Sequence, residues 1–320
     1  MNVLVIGGAG YVGSPLVYRL WREGHNVTVL DVLLFGGESL LPLNGQDRYR
    51  LVIGDLRSEE LLDSVMPGQD AVVLLGAIVG EPASNRDPEL TVSTNLHGSA
   101  KVLDAARRHG VPRFIFTSTC SNYGVSDAGV PIGEDAPLMP ISPYSETKVA
   151  AEELIIDAAG PKFAPTVLRL STAFGMSPRM RFDLLVSDFT AAAVLDGRVV
   201  IYGEQFWRPF VHVQDIAKAI DIVLNANPAL VSGEVFNVGS NGNNIQKIGL
   251  GQSVQRLVPG TDLDFVERNE DPRSYRVDFT KINERLGFTT DWSIDDGIRE
   301  LAPALEHGVF GHPSQARYHN

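Results

Sequence analysis

The sequence feature that most constrains the fold is a glycine-rich turn at the start of the chain. An apolar run at residues 3–6 leads into Gly7-Gly8-Ala9-Gly10-Tyr11-Val12-Gly13, and an apolar helical pattern comes after it. In this spacing the first glycine permits a tight turn, the second lets a pyrophosphate approach the backbone, and the third lets helix and strand pack closely. A plain glycine turn is the alternative, but a strand before the motif and a helix after it favour a dinucleotide-binding turn.

Strand and helix patterns alternate through the first half of the chain. The apolar runs that we predict as strands are residues 3–6, 27–30, 51–53, 71–75, 114–117 and 166–170. The helical patterns lie near residues 11–23, 58–65, 88–109 and 144–159. Continuous apolar runs are typical of parallel strands that are covered on both faces. The alternation therefore predicts an α/β fold built on a doubly wound parallel Rossmann sheet.

The regular alternation ends near residue 174, where short segments mix with Gly, Pro and Asn. Residues 211–224 again have the pattern of a strand and then a helix, and we expect them to rejoin the main sheet. The rest predicts a smaller α/β substrate lobe, interleaved with the first domain in sequence. The predicted ranges are 1–174 plus 206–227 for the Rossmann domain, 175–205 plus 228–310 for the lobe, and 311–320 for a loose tail.

Composition excludes several classes of protein. The net charge of −12, from 27 basic and 39 acidic residues, argues against nucleic acid or an anionic membrane as a partner. A single cysteine, Cys120, excludes a disulfide within the chain and a cysteine-rich metal site, and we expect no metal. The first residues lack the pattern of a secretory signal, and no apolar run approaches the roughly 18 residues of a membrane helix. We therefore expect a cytoplasmic protein.

An aspartate ends the second predicted strand. Asp31 lies after the glycine-rich turn at the distance where a carboxylate can bind the ribose hydroxyls of NAD and repel the extra phosphate of NADP. Val32 and Leu33 come next, with no arginine that could accept that phosphate. NAD is therefore the expected cofactor. A solvated aspartate at a strand end is the structural alternative.

A tyrosine and a lysine lie four residues apart at the start of a predicted helix. Tyr144 and Lys148 therefore face the same side of that helix. An ammonium group beside a phenol favours the phenolate, which can take a proton from an alcohol while hydride leaves the same carbon. A surface pair is the alternative. The position of the pair in the chain favours the catalytic interpretation, because the helix comes after a predicted strand that ends in hydroxyl residues, 117–119.

These motifs together resemble the extended short-chain dehydrogenase/reductase family over nearly the whole chain. The matching pieces are the glycine-rich turn, Gly54-Asp55-Leu56, Leu75-Gly76-Ala77, Asn95, residues 117–124, Tyr144 with Lys148, Arg169, and residues 208–213. The resemblance implies that Thr119, four residues before Tyr123, shares the substrate alcohol with the catalytic tyrosine. The implied catalytic residues are Thr119, Tyr144 and Lys148.

The same resemblance implies a set of residues that contact NAD. They are Gly7, Gly10, Tyr11, Val12, Gly13, Asp31, Asp55, Leu56, Leu75, Gly76, Ala77, Asn95, Thr117, Tyr144 and Lys148. In the family, the pair at 55–56 contacts the adenine region, and the asparagine supports a helix near the site.

Two positions after the catalytic hydroxyl depart from one branch of the family. Relatives that dehydrate sugars carry acidic residues there, which supply the extra acid and base for elimination. This chain has Cys120 and Ser121 instead, so we do not expect 4,6-dehydration. We interpret Cys120 as a small packing residue, because no base stands near it in sequence.

The resemblance also assigns residues to a nucleotide-diphosphate sugar. Arg208 and Arg273 match family arginines that hold the diphosphate, a task suited to the planar donor fork of a guanidinium; a surface ion pair is the alternative. Thr172 stands where many relatives have an asparagine that touches the sugar diphosphate, and Pro209 replaces the usual aspartate. Val79 is assigned to the same pocket.

A narrower resemblance rests on residues 77–82, 174–183 and 271–275. These segments look like a subgroup that contains GDP-heptose 4-dehydrogenases, which oxidise the sugar at carbon 4, keep NAD tightly bound and regenerate it with 2-oxoglutarate. Arg179 and Arg181 would then contact the substrate or 2-oxoglutarate. The alternative is an arginine pair that braces the smaller lobe.

The sequence therefore predicts an NAD-dependent oxidoreductase that oxidises a ring hydroxyl, at carbon 4, of a nucleotide-diphosphate sugar. A nucleotide-sugar 4-epimerase with the same residues is the alternative, and a non-catalytic NAD-sensing regulator is a third possibility. The presence of Thr119, Tyr144 and Lys148 argues against the regulator. By resemblance we also expect a homodimer that forms through residues 95–109 and 144–159.

Overall fold

A computed structural model describes residues 1–125, 129–266 and 274–320. In chain order its strands are β1 Asn2–Ile6, β2 Asn26–Asp31, β3 Tyr49–Ile53, β4 Ala71–Leu74, β5 Arg113–Thr119, β6 Ala164–Leu170, β7 Thr172–Phe174, β8 Arg198–Tyr202, β9 Trp207–His212, β10 Glu234–Val238, β11 Asn244–Gln246 and β12 Asp262–Val266.

The helices are numbered in the same chain order. They are α1 Gly13–Arg22, α2 Glu59–Val65, α3 Glu81–Arg86, α4 Pro88–Thr91, α5 Ser99–Arg108, α6 Pro143–Asp157, α7 Leu185–Asp196, α8 Val213–Asn225, α9 Pro228–Val231, α10 Lys247–Leu257, α11 Thr280–Leu286 and α12 Ile294–Glu306. A π-helical stretch, Val92–Gly98, joins α4 to α5. Within the described ranges, no helix is both long and apolar enough to cross a membrane.

Seven parallel strands form the main sheet, in the order β3-β2-β1-β4-β5-β6-β10. Strand β1 lies near the centre of this order, and its apolar side chains are buried on both faces of the sheet. Val3 and Val5 pack in one apolar cluster with the buried residues of α1 and α8. Leu4 and Ile6 pack in the opposite cluster, with residues of α2, α5 and α6. The predicted doubly wound α/β sheet is confirmed, since continuous apolar strands are covered by helices on both sides.

Two smaller sheets lie outside the main one. Strands β11, β9 and β7 form one of them, and β12 pairs with β8 in the other. Their core is aromatic and aliphatic, and it includes Phe174, Phe189, Phe210, Leu250 and Ile298. These elements form the second part of the molecule.

The expected return of residues 211–224 to the main sheet was half wrong. Strand β9 runs parallel to β7, with Val211 opposite Ala173, in the three-stranded sheet. Only helix α8 returns, and Ile216 and Ile220 pack against the main sheet. The seventh strand is β10, which lies within the range 228–310 predicted for the smaller lobe and pairs with β6. A strand-then-helix pattern in the sequence indicates that both elements are buried. It does not specify which sheet the strand joins, because that depends on which neighbouring strand has an unpaired edge.

The polar end of the chain is packed, which corrects the prediction of a loose tail at 311–320. Tyr318 is buried and its ring lies edge-on to that of Phe182, with 5.1 Å between centroids. The amide of Phe182 also donates to the carbonyl of Tyr318. One aromatic residue in a polar segment is therefore sufficient to fix the segment, because it fills a gap left by residues far away in sequence.

The glycine-rich turn lies at the carboxyl end of β1, where the order of the strands reverses between β1 and β4. Gly7 has a φ of +87°, and a Cβ there would lie 2.6 Å from the amide nitrogen of Gly76. A Cβ on Gly13 would lie 2.2 Å from the carbonyl oxygen of Gly7. Both glycines are thus required by close backbone approach. In open α/β sheets this switch point is where ligands bind.

We predict that Gly13→Ala destabilises the protein by roughly 1–3 kcal/mol, because the new methyl group meets backbone that cannot move aside. The matched control is Gly160→Ala, where a Cβ meets nothing within 4 Å and φ is not positive. The control should stay within about 0.5 kcal/mol of the wild type. Urea unfolding measures both, and equal stability of the two variants would contradict the prediction.

Candidate functional site

The adenosine end of the switch-point groove is organised by Asp31. One carboxylate oxygen accepts from the amide of Ala9 at 2.9 Å, and the other accepts from the amide of Leu33 at 2.8 Å. Leu33 has a φ of 55°, a left-handed conformation that is strained for leucine. The aspartate therefore ties the glycine-rich turn to the loop after β2, and its carboxylate remains half-buried at the rim.

Asp55 and Leu56 lie across the groove, after β3. The guanidinium of Arg57 donates three side-chain hydrogen bonds to the carboxylate of Asp55, and this interaction lowers the pKa of Asp55. Leu56 is buried, and its side chain lies against the backbone positions of Gly76 and Gly98. The contact of this pair with the adenine region of NAD stays a prediction.

The loop after β4 is tied to both the turn and the helices. The amides of Leu75 and Gly76 both donate to the carbonyl of Ile6. Asn95, buried in the π-helical stretch, accepts from the amide of Ile78 and donates to its carbonyl. Its side-chain amide also donates to Thr147 in α6. One asparagine therefore fixes the loop at 75–80 relative to the helix that carries Tyr144, and a π stretch is a common way to aim such a residue.

The catalytic candidates converge at the carboxyl end of β5. The ammonium group of Lys148 donates to the carbonyl of Thr117 at 2.8 Å. Two residues further, the hydroxyl of Thr119 lies 2.5 Å from that of Ser121. Tyr144 is half-buried in the first turn of α6, one turn from Lys148. The helix begins here because Pro143 comes directly after the N-cap Ser142, whose hydroxyl accepts from the amide at 145.

Burial disfavours the charged form of Lys148. It is 3% exposed, and burial lowers the pKa of its ammonium group to about 7, against the opposing effect of the Glu152 carboxylate. Its ammonium group also lies 4.5 Å from the ring centroid of Phe116. A lysine in this state can hold or release a proton near neutral pH.

A buried ion pair lies behind these residues, and the sequence analysis missed half of it. Arg169 donates to Glu152 through two nitrogens, at 3.0 and 2.7 Å, and both side chains are almost completely buried. Glu152 also accepts from Ser118 and from the side-chain amide of Asn122. The pair therefore anchors the residues on both sides of Thr119. The sequence did hold a signal of this ion pair, because Glu152 lies one helical turn after Lys148 and so on the same face of the helix. A charged residue on a helix usually faces solvent, and for that reason burial of Glu152 was not predicted.

The two positions after Thr119 hold no carboxylate. Cys120 is 1% exposed, its thiol donates to the carbonyl of Arg169, and burial raises its pKa. Ser121 is also buried and pairs with Thr119. A protonated, buried thiol does not act as a base or a nucleophile.

Of the residues assigned to the sugar diphosphate, Arg208 and Thr172 lie in the three-stranded sheet. Arg208 is buried on β9, and its guanidinium carbon lies 5.8 Å from the ring centroid of Tyr275. Thr172 on β7 is opposite Phe210 on β9, so it lies close to Arg208 along the same sheet. Val79 is half-buried in the loop after β4. The predicted contact at Arg273 lies outside the described residues.

Arg179 and Arg181 are two residues apart, but one contacts an aromatic ring and the other a carboxylate. Arg181 forms a two-point ion pair with Asp183, at 2.9 and 2.6 Å. Arg179 instead stacks on Phe35, in the loop after β2, with 3.8 Å from its guanidinium carbon to the ring centroid. The structure therefore brings Arg179 to the loop after β2, a contact that sequence spacing did not indicate.

Comparison with known proteins agrees with this geometry. A family model described as the NAD dependent epimerase/dehydratase family matches residues 3–239. The low-salt glycan biosynthesis protein Agl12 of Haloferax volcanii is 33% identical over 306 residues, which cover 93% of this chain and 96% of that protein.

Two solved structures resemble the whole chain. The dTDP-glucose 4,6-dehydratase DesIV of Streptomyces venezuelae, with NAD bound, has a TM-score of 0.85 and 28% identity, over 97% of this chain and 98% of that one. The UDP-glucose 4-epimerase of Thermotoga maritima, with UDP-glucose, has a TM-score of 0.86 and 27% identity, over 97% of this chain and 100% of that one.

We predict that Glu152→Ala destabilises the protein by about 3–5 kcal/mol, because it leaves the buried guanidinium of Arg169 without its carboxylate. The control is Asp264→Ala, which removes the partner of Arg198 in an ion pair whose side chains are 40% and 60% exposed. That loss should cost at most about 1 kcal/mol. Denaturant unfolding at neutral pH compares the two, and a cost below that of the control would refute the buried pair.

The lowered pKa of Lys148 predicts a pH dependence of stability. Between about pH 7 and 10.5 the unfolded chain holds a proton on this lysine that the folded chain has released, so stability rises with pH. Wild type should therefore gain up to about 1.4 kcal/mol per pH unit relative to Lys148→Met in this window. Unfolding at pH 7, 8 and 9 tests this. Lys101→Met, at a more exposed lysine, should behave as wild type does, and parallel curves for all three proteins would refute the prediction.

Proposed function

The chain belongs to the NAD dependent epimerase/dehydratase family, and we propose that it oxidises a ring hydroxyl, at carbon 4, of a nucleotide-diphosphate sugar. The observation that carries this proposal is the convergence at the end of β5, where Lys148 is bound to Thr117, beside Thr119 and one turn from Tyr144. The loop at 75–77 lies next to it, because the hydroxyl of Thr117 donates to the carbonyl of Leu74. The amides of Leu75 and Gly76 in turn donate to the carbonyl of Ile6, just before the glycine-rich turn.

The residues of the groove fit NAD. Gly7 and Gly13 leave the backbone open where side chains would block it, and Asp31 presents a carboxylate at the ribose end. When bound, NAD supplies the acceptor for the hydride that leaves the sugar carbon. Thr119 orients the sugar hydroxyl, Tyr144 as phenolate accepts its proton, and Lys148 stabilises the phenolate through its positive charge.

The contacts around Thr119 favour oxidation without dehydration. Elimination of water from a neighbouring carbon needs a second acid and base close to the alcohol. The positions that would supply them hold a buried thiol, Cys120, and a hydroxyl, Ser121. Nothing at these two positions can protonate a leaving hydroxide, so we propose a product that keeps its hydroxyl at carbon 6.

Arg208 supplies the charge for the diphosphate in this proposal. It is buried on β9, next to the strand that carries Thr172, and a guanidinium there can bind two phosphate oxygens at once. The smaller sheets would then hold the nucleotide, and the groove of the main sheet would hold the cofactor.

A nucleotide-sugar 4-epimerase is the second candidate, because the same three residues serve it. An epimerase returns hydride to the other face of the ketone, so the difference lies in whether the ketone is released or turned over. GDP-heptose as substrate, 2-oxoglutarate as electron acceptor and a homodimer stay predictions from the narrower and family resemblances.

The proposal is tested by spectroscopy and product analysis. We would incubate the purified protein and NAD with GDP-heptose, GDP-mannose, UDP-glucose and dTDP-glucose in turn. We expect one sugar to give reduced-nicotinamide absorbance and a 4-keto product with its hydroxymethyl group intact by NMR. Loss of the absorbance on adding 2-oxoglutarate would support that acceptor. Carbon-4 isomers without lasting absorbance would instead establish an epimerase, and a 6-deoxy product would refute the argument from Cys120.

Tyr144→Phe tests the role of the tyrosine in the same assay. We expect turnover to fall by roughly 10²- to 10⁴-fold, the usual contribution of a positioned acid or base, while NAD still binds. The matched control is Tyr49→Phe, since the hydroxyl of Tyr49 is buried without a hydrogen-bond partner. Absence of turnover in wild type on every sugar, with NAD binding intact, would favour the regulator.

A further inference from the structure

Arg179 is a buried cation whose hydrogen bonds, among the residues that the structure describes, reach only neutral groups. The residue is 6% exposed. Its Nη2 donates to the carbonyl of His319 at 3.3 Å and to the side-chain oxygen of Asn320 at 2.9 Å. Its Nε is buried and has no hydrogen-bond partner within residues 1–125, 129–266 and 274–320. A guanidinium that is removed from water normally has a carboxylate or phosphate beside it, because an unpaired buried charge is costly.

The neighbouring charges increase the need for an anion. Arg181 lies close by and is already bound at two points to Asp183. Burial and the charge of Arg181 lower the pKa of Arg179 to about 10, so Arg179 stays charged at neutral pH. The region therefore holds two guanidinium groups, and the carboxylate of Asp183 is bound to Arg181.

The position of Arg179 connects it to the cofactor groove. Its guanidinium stacks on the ring of Phe35, in the loop that Asp31 ties to the glycine-rich turn. Two residues earlier, the hydroxyl of Ser177 donates to the carbonyl of Tyr11 and contacts the hydroxyl of Ser14. The segment from 177 to 179 thus runs from the first turn of α1 to the loop after β2.

In a dinucleotide-binding fold these two regions receive neighbouring parts of the dinucleotide, the diphosphate and the adenosine ribose. The first turn of α1 presents free amides and the positive end of the helix dipole. The loop after β2 follows Asp31, the last residue of the strand, whose carboxylate accepts from the amide of Leu33 and stands where this fold places the ribose. An anion bound between them would meet the uncompensated charge of Arg179.

We propose that Arg179 binds the pyrophosphate of NAD, held in place by its stack on Phe35 and by its bonds to His319 and Asn320. Arginine suits this task because its donors can reach two phosphate oxygens in one plane. The 2′-phosphate of NADP is the less favourable anion here, since Asp31 presents a negative charge at the ribose. This assigns Arg179 to the cofactor rather than to a sugar or 2-oxoglutarate.

The test measures binding without any sugar, so it is independent of the proposed oxidation. Isothermal titration would give the Kd of NAD, ADP, 2′,5′-ADP and adenosine for wild type and Arg179→Met, which keeps the apolar stem. We expect NAD and ADP to bind about 10- to 100-fold more weakly, the usual effect of losing a charged hydrogen bond. Adenosine should bind equally well to both proteins. Arg198→Met, at an exposed arginine, is the matched control and should bind all four ligands as wild type does.

Three results would overturn the proposal. Unchanged ADP affinity in folded Arg179→Met would remove the contact. A loss confined to 2′,5′-ADP would place the guanidinium at the ribose, and an equal loss for adenosine and ADP would mean general damage to the groove. If Arg179→Met does not fold, Phe35→Leu keeps the charge but removes the stack that holds it. That variant should weaken ADP several-fold and leave adenosine unchanged, and unchanged ADP affinity there would equally refute the proposal.

Discussion

The backbone of the glycine-rich turn approaches its neighbours so closely that no side chain fits between them, and the rest of the site depends on this contact. Gly13 sits over the carbonyl of Gly7, and Gly7 sits against Gly76 in the loop after β4. The contact brings β1, α1 and the loop at 75–80 into one unit. Asn95 then links that loop to α6, so the turn sets the position of the helix with Tyr144.

Buried charge is the second organising element. Lys148, Arg169 and Arg179 are three of the cationic side chains that are nearly inaccessible to solvent, and each is stabilised by partners of a different kind. Arg169 has a full carboxylate partner in Glu152, which makes it structural. Lys148 has a carbonyl partner and a lowered pKa, which suits proton chemistry. Arg179 has only neutral partners, which suits a ligand that brings its own negative charge.

The two residues after Thr119 limit the chemistry of the site more than the fold does. Relatives with the same fold and 27–28% identity include a 4,6-dehydratase and a 4-epimerase, so the fold does not decide the outcome. In this chain the buried thiol of Cys120 and the hydroxyl of Ser121 leave the site with a tyrosine, a lysine and a threonine. Those groups are sufficient to remove a proton from an alcohol. Elimination of water would need a further acid and base.

Local sequence was enough to predict the parallel sheet, the glycine-rich turn, Asp31 at the end of β2 and the Tyr144–Lys148 pair, because each is encoded by periodicity or by spacing within one element. Only three-dimensional packing could show that β10 and not β9 completes the sheet, and that Tyr318 fixes the end of the chain. The same holds for the meeting of Arg169 with Glu152. These are contacts between segments far apart in sequence, and they depend on which edge, gap or buried charge is left unpaired after the local elements have packed.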